Sequence, residues 1–215
     1  LKDLLGQNLS HSNSQTDIQN LFLKYNLIVL QDGSIRASIS YRGENLLIPI
    51  EAATAMLLKN LRKSAQSYSE SAIHDCVIAV PAFFTIQQRE SLIAAAKISG
   101  LEVSGLISEQ AAVGLAYAMS KSFDSEEKFV LFADFGYSAL KLGLISFRDK
   151  QLSVLKTLET KSVCGRILES ELLKIVLGKA KEKHGADFGN LLETNKKALI
   201  RLEKAVEKAK RVLSV

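Results

Sequence analysis

Apolar and polar positions follow two different periods along this chain, and each change of period marks an element. Apolar runs at Leu27 to Leu30, Ile35 to Tyr41 and Asn45 to Ile48 are separated by the turn sequences QDGS (31–34) and RGEN (42–45). They predict a small antiparallel meander from about 22 to 48. Residues 1 to 19 are polar, and only LKDLLG at the start reads as a short helix, ended by Gly6. Pro49 then opens a helix, because its fixed φ suits a first helical position. Ala53, Met56, Leu57, Leu61 and Ala65 carry helical spacing to about Ser69. CVIAV (76–80) is continuously apolar, which predicts a strand covered on both faces, and Pro81 stops it. Thr85 and Gln88 form a capping box for a helix over 86–98, closed at Gly100. LEVSGLI (101–107) is the next strand. Ser108 or Glu109 opens a helix with Ala112, Leu115, Ala116 and Met119 on one side.

The second half opens with KSFDSEEK (121–128), a polar connector and an expected lobe boundary. FVLFADFGYSALKLGLISF (129–147) then reads as strand, Asp-x-Gly turn, strand. Asp134 ends the first apolar run, Gly136 makes the turn, and Leu140 to Phe147 heads back. Such a turn can present backbone N–H groups to an anion, with the carboxylate holding a cation or water beside it. The plain alternative is a hairpin and nothing more. Leu152 to Leu158 adds a third strand. Helices are expected over about 166–183 and 193–215, broken at His184-Gly185. Helix and apolar strand alternating through the middle of the chain make the fold class α/β.

The chain has 215 residues, enough for one large domain or two small ones. It begins at Leu1 without Met, so it is expected to be a fragment or a processed form. No apolar run approaches the roughly 20 residues that span a bilayer, so no membrane partner is expected. Cys76 and Cys164 have no metal spacing and no disulfide framework around them. The net charge of +5 is concentrated after residue 179. Aromatics are not interleaved with that basic face, and nucleic acid is not an expected partner.

In the last helix, Leu199, Leu202, Val206, Ala209 and Leu213 form one apolar stripe. Glu207, Lys210, Arg211 and Ser214 fall at i, i+3, i+4 and i+7 and form a polar stripe roughly 110° round. A carboxylate can accept ribose hydroxyl protons, Ser and Lys can bond sugar and ring atoms, and Arg can stack on a base. Alternatively Glu207 pairs with Lys210 and Arg211 on a solvated face.

Together these pieces resemble the nucleotide-binding domain of the 70-kDa heat-shock chaperones, within the actin-like ATPase (ribonuclease H-like) superfamily. VIAVPAFFTIQQR (77–89), ISGLEVSGLISEQAAVGLAY (98–117), ADFGYSALK (133–141) and RLEKAVEKAKRVLS (201–214) carry the resemblance in order. It implies an incomplete two-lobed α/β domain. Residues 1–49 would be the outer part of lobe I and 50–122 its core. Residues 123–162 would be the core of lobe II and 163–215 its helical outer part. It also implies ATP or ADP with Mg2+ as cofactors. By the resemblance, Asp134, Gly136, Tyr137, Ser138 and Gly165 would line the phosphate side, and Glu207, Lys210, Arg211 and Ser214 the adenosine side. Asp134 and Glu109 would act near the metal through water and are the candidate catalytic groups. Pro81 and Arg89 match the family's proline switch and arginine relay.

The departures from the family pattern are as informative. Tyr137 and Ser138 stand where the family has further glycines. Cys164 replaces the first of a Gly-Gly pair, and Ser108, Gln110 and Ala111 replace Asn, Pro and Thr. Lys141 falls where the family has a carboxylate near the catalytic water. Asp-x-Gly-Tyr-Ser, the spacer SEEK and Gly165-Arg166 look most like the large, 110-kDa branch. That branch binds ATP, hydrolyses it weakly or not at all, and exchanges nucleotide on a partner 70-kDa chaperone. It also holds unfolded clients. The expected function is therefore an ATP-binding chaperone with weak or absent ATPase, expected in the cytoplasm, with the endoplasmic reticulum lumen as the alternative. The alternatives in function are a divergent ATP-hydrolysing chaperone and a nucleotide-free scaffold on the same fold.

Overall fold

The computed structural model describes residues 2–8, 26–121, 123, 125–149 and 151–214. The rest of the polar leader and the start of the expected meander lie outside the described residues. The chain divides into two compact units, 1–112 and 113–215. That division falls upstream of the polar connector.

The first unit opens with a 3-10 turn, Lys2–Leu4, that places Leu4 and Leu5 in the core. Gly6 follows at φ +58, and a Cβ there would lie 2.7 Å from the Gln87 carbonyl oxygen. The meander is antiparallel in the order β1 (Leu27–Val29), β2 (Ile35–Tyr41), β3 (Glu44–Pro49). Arg42 and Gly43, both at positive φ, make the tight turn between β2 and β3. Pro49 ends β3 and precedes the helix rather than starting it, with ψ 146; α1 runs Ile50–Ser69. A parallel pair follows: β4 (Asp75–Val80), α2 (Ile86–Ile98) and β5 (Glu102–Ser108). Both halves of the Thr85–Gln88 capping box form, and Gly100 adopts φ +80 after the helix. Leu4, Leu5, Leu27, Ile35, Ile50, Val80, Phe84 and Leu92 make the core.

Two expected faces are turned the other way. In α1 the buried residues are Ile50, Thr54 and Ala55, while Met56, Leu57 and Leu61 are exposed. β4 is covered on one side only, with Val80 fully buried and Val77 65% exposed. Two strands and one helix can cover only one face of this pair among the described residues.

The second unit begins within α3 (Glu109–Met119) and continues as a three-stranded antiparallel sheet, β6 (Lys128–Phe135), β7 (Leu140–Arg148), β8 (Gln151–Thr160). β7 lies in the centre. Gly114 and Tyr117 mark the packed side of α3, and a Cβ on Gly114 would lie 2.7 Å from Ile145 Cδ1. The expected stripe is outward: Leu115 is exposed and Met119 is 83% exposed. Phe147, 1% exposed, stacks on Phe123 at 4.6 Å and meets Tyr117 at 5.7 Å. Three helices complete the unit: α4 (Gly165–His184), α5 (Ala186–Thr194) and α6 (Lys196–Leu213). α5 was not expected. Asn195 caps α6, accepting from the backbone N–H groups of Lys197 and Ala198, so the last expected helix splits at a residue read as interior. Phe147→Ala should cost about 3–5 kcal/mol, measured as a fall in the urea midpoint at constant slope. A loss below about 1 kcal/mol would contradict the aromatic core.

Candidate functional site

The β6–β7 turn is closed by its own backbone. The Gly136 N–H donates to the Ala139 carbonyl at 3.0 Å. A Cβ there would lie 3.3 Å from that oxygen, a tight contact that glycine avoids. The turn is then tied to the start of α4. The Gly165 N–H donates to the Gly136 carbonyl at 3.1 Å, and the Arg166 N–H to the Tyr137 carbonyl at 2.9 Å. A Cβ on Gly165 would sit 3.4 Å from Tyr137 Cα, so the helix start and the turn are in van der Waals contact. Two of the helix N-terminal donors that could meet an anion, those of Gly165 and Arg166, have hairpin carbonyls as partners here.

The hairpin register puts Asp134 opposite Lys141, and the next pair puts Lys141 opposite Glu159. Residues opposite each other share a face of the sheet, so a lysine on the central strand lies between two cross-strand carboxylates. Its Nζ is 3.8 Å from Asp134 Oδ2. The Lys141 side chain is 6% exposed and that of Asp134 is 58% exposed. A buried ammonium needs a counter-charge, and Asp134 supplies one.

The polar stripe of α6 forms, with partners of its own. Lys210 Nζ lies 2.6 Å from Glu169 Oε1 on α4, and 6.0 Å from the centroid of the Tyr137 ring. Arg211 pairs with Glu207 at 2.7 Å, and the Ser214 hydroxyl donates to the Lys210 carbonyl at 2.6 Å. On the apolar stripe Val206 is buried and Leu199 and Leu202 are half-buried, while Leu213 is exposed. Burial pushes the Tyr137 phenol up to about 12. The Glu169 carboxylate adds to this by its charge and by accepting the phenol's hydrogen bond, and Arg166 opposes it. The structure therefore brings Tyr137, Gly136, Gly165 and Lys210 together, with Asp134 and Lys141 on the same hairpin.

The remaining candidates lie in the first unit. Arg89 grips the loop after β4, its Nε donating to the Phe84 carbonyl at 3.0 Å and an Nη to the Ala82 carbonyl at 3.4 Å. Phe84 N–H in turn donates to the Pro81 carbonyl at 3.1 Å, so Pro81 and Arg89 belong to one buttressed turn. Ser108 Oγ accepts from the Ala111 N–H and caps α3. Glu109 lies 3.6 Å from Lys2. Each carboxylate expected near magnesium thus has a lysine as its neighbour. No group of three or more His, Cys, Asp or Glu suited to a metal ion occurs among the described residues. These donors do not fit a divalent cation.

The sequence profile of the Hsp70 protein family matches residues 1–215. The chain belongs to the Hsp70 family. Among relatives, Heat shock protein 88 of Dictyostelium discoideum is 31% identical over 216 residues, 100% of this chain and 27% of its own length. Heat shock 70 kDa protein 4L of Homo sapiens is 31% identical over 217 residues, 99% and 25% of the two lengths. Heat shock 70 kDa protein 4 of Rattus norvegicus is 31% identical over 196 residues, 89% and 23%. The chain spans about a quarter of the length of these relatives. The likeness to the large heat-shock branch is borne out. So is the fold: the partial sheets belong to an incomplete domain of the actin-like ATPase type that Hsp70 nucleotide-binding domains share.

Sequence reasoning missed Glu169 and Glu159. Glu169 lies four residues into the first turns of α4, and nothing local links it to Lys210, 41 residues away. Glu159 was legible in principle, because strand lengths and turns fix which residue faces Lys141. The phenol of Tyr137 offers a direct check. Its folded value of about 12 exceeds the ordinary 10.0, so its contribution to stability is full below pH 10 and is lost as pH rises towards 12. Tyrosinate absorbance should show a late titration that Tyr137→Phe abolishes and Glu169→Gln moves down. A titration unchanged in Glu169→Gln would contradict the contact.

Proposed function

We propose that this chain forms part of the nucleotide-binding domain of an ATP-binding chaperone of the large heat-shock branch. In this reading it acts as a nucleotide-exchange factor and holdase for a partner 70-kDa chaperone, with weak or no hydrolysis. One observation carries the reading: a buried lysine, Lys141, lies 3.8 Å from the hairpin carboxylate Asp134, where the family resemblance implies an acid near the catalytic water. Hydrolysis of a phosphoanhydride needs a positioned, polarised water and stabilisation of developing negative charge. An ammonium at that place offers no base to the water. The retained stripe of Glu207, Lys210, Arg211 and Ser214 supports nucleotide recognition. The kinship with proteins named Heat shock protein 88 and Heat shock 70 kDa protein 4L supports the branch.

The ion pairs on α6 favour a second reading, a nucleotide-free scaffold. Lys210 and Arg211 already have carboxylate partners, so a nucleotide must displace or share them. The two readings part on exchange. Mixed with a 70-kDa chaperone loaded with labelled ADP, the protein should speed release of the label, and Lys210→Ala should blunt the effect. Release at the spontaneous rate would overturn the exchange reading.

A further inference from the structure

The chain's excess of positive charge is carried by one helix. α6 holds seven basic and two acidic residues, a surplus equal to the +5 of the whole chain. Lys197, Arg201, Lys204 and Lys208 fall at i, i+4, i+7 and i+11, within about 60° of one another at about 100° per residue. All four are exposed. Arg211 continues the line and has Glu207 as its partner. None of the other four forms an ion pair with a described carboxylate. Glu203 and Glu207 fall off the line, on the flank that carries Lys210. Val206, on the opposite side of the helix, is buried, and α6 packs on α4 and α5. A solvated helix face ordinarily mixes signs, so that residues one turn apart attract. Here each interval along the line sets like charges against one another, which weakens the helix that carries them. An acidic partner would relieve that repulsion.

The line also restricts the partner's chemistry. It carries no aromatic ring to stack on a base and no large apolar side chain to enter a lipid surface. Its cations step by about 6, 4.5 and 6 Å along the axis, at about 1.5 Å per residue. A second helix with carboxylates at the same four positions repeats those steps and keeps four pairs in register. Same-face residues of an extended strand step by about 6.8 Å and drift by about 4 Å over the same line. We propose that this line of α6 is a docking surface for an acidic helix of another protein. The surface stands apart from the nucleotide reading above and does not depend on it. Exposed ion pairs each contribute little, so the line steers and orients the partner, and the contact is sensitive to salt.

The test is titration of the isotope-labelled protein with two helical peptides of one composition, followed by NMR shifts of the backbone amides. One peptide carries glutamates at i, i+4, i+7 and i+11 of an alanine-based helix. The other spreads the same glutamates round the helix. The proposal expects shifts centred on 197–208, half-saturated by the first peptide at a concentration at least about fivefold lower than by the second. It also expects the shifts to fade as salt rises to about 1 M, where charges are screened within about 3 Å. An equal response to the two peptides, or shifts centred elsewhere, overturns it. Tighter binding of this face to an RNA or DNA oligomer, or to vesicles of anionic lipid, overturns it as well. Lys204→Glu combined with Lys208→Glu should abolish the response to the first peptide and leave the urea midpoint unchanged. An unchanged response contradicts the proposal. If that variant fails to fold, Lys204→Gln with Lys208→Gln takes its place and should weaken binding at least about fivefold; unchanged binding contradicts the proposal equally.

Discussion

A buried ammonium cannot be left without a carboxylate beside it, and the second unit is arranged round that requirement. Lys141 sits on the central strand, and antiparallel pairing sets Asp134 and Glu159 opposite it. A slip of one residue would turn every side chain of the strand to the other face. It would break this charge row and expel Ile145 and Phe147 from the core. Electrostatics and packing thus specify the same register. That register fixes where the turn after Asp134 ends, and so where Tyr137 meets α4.

From there the constraints run outward. The turn and the helix start are joined by backbone hydrogen bonds from the N–H groups of Gly165 and Arg166 to the carbonyls of Gly136 and Tyr137. Tyr137 then lies beside them, with its phenol on Glu169, and Glu169 also takes the ammonium of Lys210. The hairpin, α4 and α6 are linked through three side chains. A glycine at position 137 would leave that space open to a phosphate. With tyrosine the space is narrower, and the Gly136 N–H is engaged by the Ala139 carbonyl.

Much of this was legible in the residues. The Thr85–Gln88 box, Gly100, the meander and the Asp-x-Gly hairpin depend on local chemistry, which a sequence carries directly. The outward faces of α1 and α3 were not legible. Both helices are apolar on more than one side, and which side is covered depends on the sheet that meets it. Met56 and Leu115 therefore read as core and stand exposed, while Thr54 and Gly114 pack. The helix α5 was missed because Asn195 stands in a run of good helix formers, where a cap resembles an interior polar residue. Lys141 was recognised as a reversal of charge, but its burial and its second carboxylate came from strand pairing alone.

The proposed function has this hairpin hold a nucleotide without cutting it. Loading the protein with ATP labelled on the γ-phosphate, isolating the complex and following the label over many hours tests it directly. The account predicts that the bound nucleotide is recovered as intact ATP. Release of labelled phosphate from the isolated complex, at a rate abolished by Asp134→Asn, would contradict it.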